Sequence, residues 1–186
     1  MIQLLSFDIG IKNMAYCFSI IYENEFIIKE IDKIDLNCNK TNIQNIIDNT
    51  IEFLDDLIIK LNIEDTKDKL IILIECQMTS IMRTIQTCIN TYFKLIGKHL
   101  NLDIETIYVS PKHKLKIIDD YSDTIIASNK YKQNKFDAIY YTIHLLKTVY
   151  KNDEILAIIN SHKKKDDLCD AFLMCVYYHI NQKKNK

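Results

Sequence analysis

The sequence predicts an α/β fold: a five-stranded mixed sheet, made of an antiparallel three-strand meander followed by two parallel strands, flanked by helices. Three observations carry this. Three β-prone stretches joined by short polar turns fill residues 4–31. A continuous apolar run, Leu70-Ile71-Ile72-Leu73-Ile74, reads as a strand buried on both faces, as parallel strands are. Between and after these, apolar residues recur at helical spacing. At 186 residues the chain suits a single domain, residues 1–186, with room for a sizeable core.

Taken in order, the first strand leads into Asp8, and Gly10 can take the φ > 0 that a sharp turn needs. Met14 to Tyr22 is the second strand, Glu23-Asn24-Glu25 the turn, and Phe26 to Ile31 the third. After a loop at residues 37–40, Thr41 or Asn42 caps an amphipathic helix from Ile43 to Leu61. Asn62 to Lys69 is a polar connection into the apolar run, which ends at Glu75. Thr79 to Leu100 follows as a long helix, with Ile85, Ile89 and Phe93 inward. Gly97 inside it costs about 1 kcal/mol, which close packing would explain. Asp103 to Val109 alternates as a strand until Ser110-Pro111 stops it. Asp119 to Asn129 is loop-like. Lys130 to Tyr150 is helical, with Phe136, Ile139, Tyr140, Ile143 and Leu146 expected inward. A last helix carries Asp167 and Asp170 and continues through Ala171, Leu173, Met174 and Val176 to Tyr178.

Composition bounds the function. With 48% hydrophobic and 26% charged residues the chain is an ordinary globular protein. It is rich in Ile, Lys and Asn, and has two Gly, one Pro and one Arg, the mark of AT-rich codons. Six cysteines show neither a C-x-x-C pair nor zinc spacing, so we expect reduced core thiols in an intracellular, soluble protein. No apolar run is long enough to span a membrane. The net charge of −1 hides an asymmetry: residues 1–110 hold 10 Lys and Arg against 16 Asp and Glu, and residues 111–186 hold 14 against 9. A basic C-terminal half points either to a polyanion partner or to lysine standing in for Arg and Gln on a solvated surface.

The chemistry-bearing residues are acids at element ends. Asp8 closes the first strand. Glu75 stands at the C-terminal edge of the buried strand, where open α/β sheets place ligands. Asp167 and Asp170, three apart on a helix, share a face. Two like charges there repel unless a cation lies between them, although acids also suit a helix N-terminus. Lys112-His113-Lys114-Leu115-Lys116 follows the fifth strand, and can meet phosphates or form the solvated first turn of a helix through Ile118. Arg83, the sole arginine, can clamp a phosphate bidentately or serve as a plain surface residue.

Together, Phe7-Asp8-Ile9-Gly10-x-Lys12-Asn13, Ile74-Glu75-x-Gln77 and Lys164-Lys165-Asp166-Asp167-x-x-Asp170 resemble the poxvirus-type Holliday junction resolvases. These are relatives of the RuvC and fungal mitochondrial resolvases in the ribonuclease H-like superfamily. The resemblance covers essentially the whole chain, and its most specific part is the Lys-Lys-Asp-Asp-x-x-Asp element. It implies a ribonuclease H-like fold and an endonuclease that cuts four-way DNA junctions at symmetric positions. The implied cofactor is Mg²⁺, two ions per site, with Mn²⁺ as a substitute. One ion would activate the attacking water and the other stabilise the leaving 3′ oxygen. By position Asp8 would bridge both ions, Glu75 and Asp170 would bind one each, and Asp167 would be a further ligand or orient a bound water. Lys114 is the implied assisting lysine, with Lys112 and Lys116 as alternates. Lys12, Arg83, Lys112, Lys116, Lys130, Lys132, Lys135, Lys164 and Lys165 are the expected DNA contacts.

The implied setting is viral DNA recombination and concatemer resolution at sites of viral replication. Two cuts on a two-fold junction imply a homodimer, for which the helix at Thr79–Leu100 offers Ile81, Met82 and Leu95 outside the core stripe, unless the helix at Lys130–Tyr150 covers them. The alternatives are a ribonuclease H acting on RNA–DNA hybrids and a non-catalytic junction-binding protein. A sugar kinase or actin-like ATPase would need a second glycine-rich phosphate loop, which two glycines cannot supply.

Overall fold

The computed structural model describes residues 1–39, 41–113, 117 and 129–184. Strands β1 (Ile2–Asp8), β2 (Met14–Tyr22) and β3 (Glu25–Ile34) form the meander. Helix α1 (Ile43–Lys60) and a 3₁₀ turn at Ile63–Asp65 lead to β4 (Lys69–Glu75), and helix α2 (Ser80–Leu100) to β5 (Ile104–Val109). Helices α3 (Lys130–Thr148), α4 (Asp153–Ser161) and α5 (Asp166–Lys184) complete the chain. The sheet order is β3-β2-β1-β4-β5; the β1–β2 and β2–β3 pairs are antiparallel, β1–β4 and β4–β5 parallel.

The two-residue alternation of strands explains the layers. On β1, Leu5 and Phe7 point to one face, where Ile46, Leu54, Ile85, Ile89 and Phe93 of α1 and α2 meet them. Leu4 points to the other, with Leu145 and Leu146 of α3, Ile159 of α4 and Leu168, Phe172 and Val176 of α5. On β4, Leu70, Ile72 and Ile74 join the first core, and Ile71 and Leu73 the second. Full burial of all five is the two-sided covering that their unbroken apolar run predicted.

Asparagine supplies the turn chemistry that two glycines cannot. Asn24, Asn37, Asn62 and Asn101 all take positive φ, which asparagine tolerates better than other side chains. The β2–β3 hairpin turns on Glu23 and Asn24, with φ of 47° and 71°, the double positive of a two-residue turn matched to strand twist. Asn42, Asn129 and Asn152 cap α1, α3 and α4 through their side chains.

Four expectations need correction. Gly10 does not use positive φ; a Cβ there would lie 2.7 Å from the Asn13 carbonyl oxygen, so glycine serves close backbone approach in the β1–β2 turn. Helix α3 departs from its expected face at two residues: Leu146 is buried and Ile139 and Ile143 pack against the core as expected, but Phe136 is 50% and Tyr140 45% exposed, while Ala138, Tyr141 and Leu145 are buried. Helix α4 fills a stretch left unassigned in sequence, although Asn152 and two acids in its first turn mark its start. Helices α2 and α3 lie on opposite faces of the sheet, so α3 does not cover α2. Gly97 behaves as expected, with a Cβ there falling 3.3 Å from Ile104 Cβ, which lets α2 sit close to β5. Expectations for residues 118–128 lie outside the described residues.

Candidate metal centre

Strand parity assembles the site. Asp8 shares the α5-facing side of β1 with Leu4 and Ser6, and Ser6 Oγ donates a 2.7 Å hydrogen bond to the Ala171 carbonyl of α5. Glu75 shares the same side of β4 with Ile71 and Leu73. The parallel register pairs Phe7 with Ile74, which brings Asp8 and Glu75 level at the C-terminal ends of adjacent strands. Asp170, one residue before Ala171, projects from the first turns of α5. One carboxylate oxygen from each of Asp8, Glu75 and Asp170 lies within 4.8 Å of the others.

Asp8 and Glu75 are 9% and 8% exposed. Three carboxylates gathered so closely, two of them buried, repel one another, and a cation between them removes that cost. The donor set is all oxygen and carries no thiolate or imidazole, which suits a hard divalent ion such as Mg²⁺, Mn²⁺ or Ca²⁺ over zinc. The residues therefore fit a metal. Gln77 supports the arrangement from outside: its Nε2 donates to Glu75 Oε2 at 3.0 Å, its backbone N–H donates to Gln86 Oε1 at 2.8 Å, and Arg83 Nε donates to its carbonyl oxygen at 3.0 Å. Such outer contacts fix which oxygen a ligand presents.

Asp167 stands apart from the triad among the described residues. It is engaged by lysines: Lys164 Nζ donates to Oδ1 at 2.9 Å, and Lys33 Nζ lies 3.7 Å from Oδ2. Asp166 pairs with Lys135 of α3. Burial pushes the Asp166 carboxyl up, but the hydrogen bond and charge of Lys135 outweigh it and hold it below its usual range.

The remaining described candidates lie on several elements. Lys12 is exposed in the β1–β2 turn, and Lys112 is exposed just past β5. Arg83 lines the outside of α2. Lys132 is exposed on α3. Lys165 Nζ donates to Asn160 Oδ1 at 2.7 Å. Lys114, Lys116 and the side chain of Lys130 lie outside the described residues. Sequence reading missed Lys33, whose partner is 131 positions away, for which no local pattern exists. Gln77 was visible as part of its motif, but its role was not.

The chain matches the sequence model of a family described as Poxvirus A22 protein over residues 1–182. It is similar to the fowlpox virus resolvase solved in complex with substrate Holliday junction DNA, at 22% identity and a TM-score of 0.64, covering 97% of this chain and 98% of that one. The fowlpox virus Holliday junction resolvase solved by itself gives 20% identity and a TM-score of 0.60, with 97% and 99% covered. Likeness at these identities establishes the fold, which is ribonuclease H-like. A stretch of 106 residues, 52% of this chain, is 36% identical to the uncharacterized protein L451 of Acanthamoeba polyphaga mimivirus. The match spans only a quarter of that relative's length.

Proposed function

The chain belongs to the poxvirus A22 protein family, and from that premise we propose that it is a Holliday junction resolvase, an endonuclease that hydrolyses phosphodiesters in four-way DNA junctions. The observation that carries the reading is the convergence of Asp8, Glu75 and Asp170 at one sheet edge. An activity on junctions in the fowlpox proteins supports it by analogy of fold.

Asp8, Glu75 and Asp170 would hold Mg²⁺, two ions per site, with Asp167 as a further ligand or an orienting group. When bound, such ions supply a nucleophile at neutral pH and stabilise charge on the leaving oxygen. The protein's own part is to hold the three carboxylates level across β1, β4 and α5. Gln77 orients Glu75 through its hydrogen bond to Oε2. Lys114 is the proposed assisting lysine. Lys12, Lys112, Lys132, Lys164 and Lys165 would neutralise phosphates. Two symmetric cuts require two such sites, so the acting form would be a homodimer. The setting would be recombination and concatemer resolution at sites of viral replication; among the described residues no helix is long and apolar enough to cross a membrane.

The test is cleavage of a four-way junction in Mg²⁺ beside an RNA–DNA hybrid of equal length. Symmetric nicks in the junction, lost in Asp8→Asn while junction binding persists, are the expected result. Cleavage of the hybrid alone would make the protein a ribonuclease H. Full junction cleavage by Asp8→Asn would remove the triad from the chemistry.

A further inference from the structure

Residues 76–79 join β4 to α2 and follow Glu75 directly, outside any strand or helix. The sheet holds the first of them: the Cys76 N–H donates to the Val109 carbonyl oxygen at 2.9 Å. Gln77 is held by the helix instead. Its N–H donates to Gln86 Oε1 at 2.8 Å, and its carbonyl oxygen accepts from Arg83 Nε at 3.0 Å. Both backbone polar groups of one loop residue are thus bound by two side chains of α2, three apart and so on one face of it. The next residue, Met78, is 88% exposed, so burial does not fix this loop and the hydrogen bonds do. What they fix in turn is a side chain. Gln77 Nε2 donates to Glu75 Oε2 at 3.0 Å, and where a glutamine amide can reach depends on where its own backbone lies. Helix α2 is a firm reference for that backbone, since Ile85, Ile89 and Phe93 are fully buried against the sheet. A series of contacts runs from the core through α2 and Gln77 to one oxygen of a triad carboxylate.

We propose that Gln86 and Arg83 are positioning residues of the metal centre: by holding the Gln77 backbone they keep an oxygen of Glu75 within 4.8 Å of one from Asp8 and one from Asp170. Groups one layer outside a ligand set metal affinity by fixing the ligand's orientation. That layer holds its geometry only when it stands on rigid elements, as α2 provides. Gln86 has the larger part, because its bond to Gln77 is half-buried whereas that of Arg83 is exposed to competing water. The role is separate from the phosphate contact expected of Arg83, because it operates without DNA. The inference rests on reading the acid triad as a metal centre.

The test titrates Mn²⁺ into the DNA-free full chain and reads binding from the loss of the free ion's electron paramagnetic resonance signal, so no cleavage enters. Asp8→Asn gives the background from other carboxylates. Gln86→Met removes the acceptor at similar size and should weaken Mn²⁺ binding about three- to tenfold, short of the about 10–100-fold for a group that touches the ligand itself. Gln86→Glu keeps an oxygen acceptor at that place and should bind no more weakly than the wild type. Arg83→Met should weaken binding by at least about twofold. Amide exchange is the second readout: the Gln77 N–H should exchange faster in Gln86→Met and at the wild-type rate in Gln86→Glu. The melting temperature of the metal-free protein separates loss of the site from loss of the fold. If Gln86→Met does not fold, Arg83→Met, at an exposed position, decides the same point. Wild-type Mn²⁺ affinity in both methionine variants overturns the proposal and leaves the metal centre standing. So does equal weakening in Gln86→Met and Gln86→Glu. A wild type that binds no more Mn²⁺ than Asp8→Asn refutes the metal centre itself, and the positioning role with it.

Discussion

Lys33, on the edge strand β3, reaches across to α5: its Nζ lies 3.7 Å from Asp167 Oδ2 and donates a 2.7 Å hydrogen bond to the Lys164 carbonyl oxygen. Both side chains of the ion pair are little exposed, at 11% and 13%. The sheet edge farthest from β5 therefore pins the start of the helix that delivers Asp170. Position of the third carboxylate depends on a contact between residues that belong to neither the triad nor its strands.

The first prediction follows from that pin. Lys33→Met should destabilise the protein by about 1–3 kcal/mol, the range for a lost hydrogen bond to a charged group, as read by denaturant unfolding. Asp167→Asn should cost less, since it leaves Lys33 its bond to the Lys164 carbonyl. The double variant should be more stable than the sum of the two predicts, because the residues share one network. Strict additivity would mean that Lys33 and Asp167 do not interact in solution.

Asp8 and Glu75 were readable in the sequence because a period of two and a strand end suffice to place them, and Asp170 because i, i+3 spacing gives a helix face. Asp167 shares that spacing, yet it sits with Lys164 and Lys33 and not in the triad, a consequence of long-range pairing that spacing does not encode. On α3 the expected Leu146, Ile139 and Ile143 do face the core, but Phe136 and Tyr140 are exposed, because an apolar side chain on a helix need not be an inward one. Gly10 was read as a φ > 0 residue when its neighbour Asn13 imposes a steric demand instead.

Metal binding should be measurable without any substrate. An ion that binds only the folded state stabilises it by RT ln(1 + [L]/Kd), so Mg²⁺ or Mn²⁺ should raise the melting temperature of the wild type. Asp8→Asn, Glu75→Gln and Asp170→Asn should each abolish that rise. Gln77→Leu should keep the rise but move its midpoint to about 10–100-fold higher metal, the usual effect of removing a group that orients a ligand. A rise retained in Asp170→Asn would place the ion elsewhere.

The lysines of α3 should act through phosphate. Lys132, exposed and outside every ion pair found among the described residues, should contribute to the salt dependence of DNA binding, and Lys132→Gln should reduce the log–log slope by about one. Lys135 differs because it holds Asp166. Lys135→Gln should lower stability as well as affinity, while Lys132→Gln should leave the melting temperature unchanged. Equal melting temperatures for both variants would show that the Lys135–Asp166 pair adds nothing to the fold.

The last prediction concerns assembly. A four-way junction has near two-fold symmetry, and one chain brings together one acid triad among the described residues, so paired cleavage calls for two copies related by a two-fold axis. Helix α3, the alternative cover for α2, lies on the opposite face of the sheet and does not fill the groove between α1 and α2. That groove has a volume of about 660 Å³ and is lined by Ile47, Ile51, Thr87, Cys88 and Leu95 among others. Leu95 is 62% and Ile51 38% exposed, while Ile81 and Met82 of the same helix pack partly into the core. Packing α2 against its copy would cover these side chains through one self-complementary patch, as two-fold symmetry demands. Sedimentation at micromolar concentration should show a dimer. Leu95→Asp, which would bury an unpaired carboxylate in that contact, should give a monomer whose melting is otherwise intact and which nicks a junction without resolving it. A wild-type monomer that stays one protomer per junction would exclude the dimer, and a dimer unaffected by Leu95→Asp would move the interface away from α2.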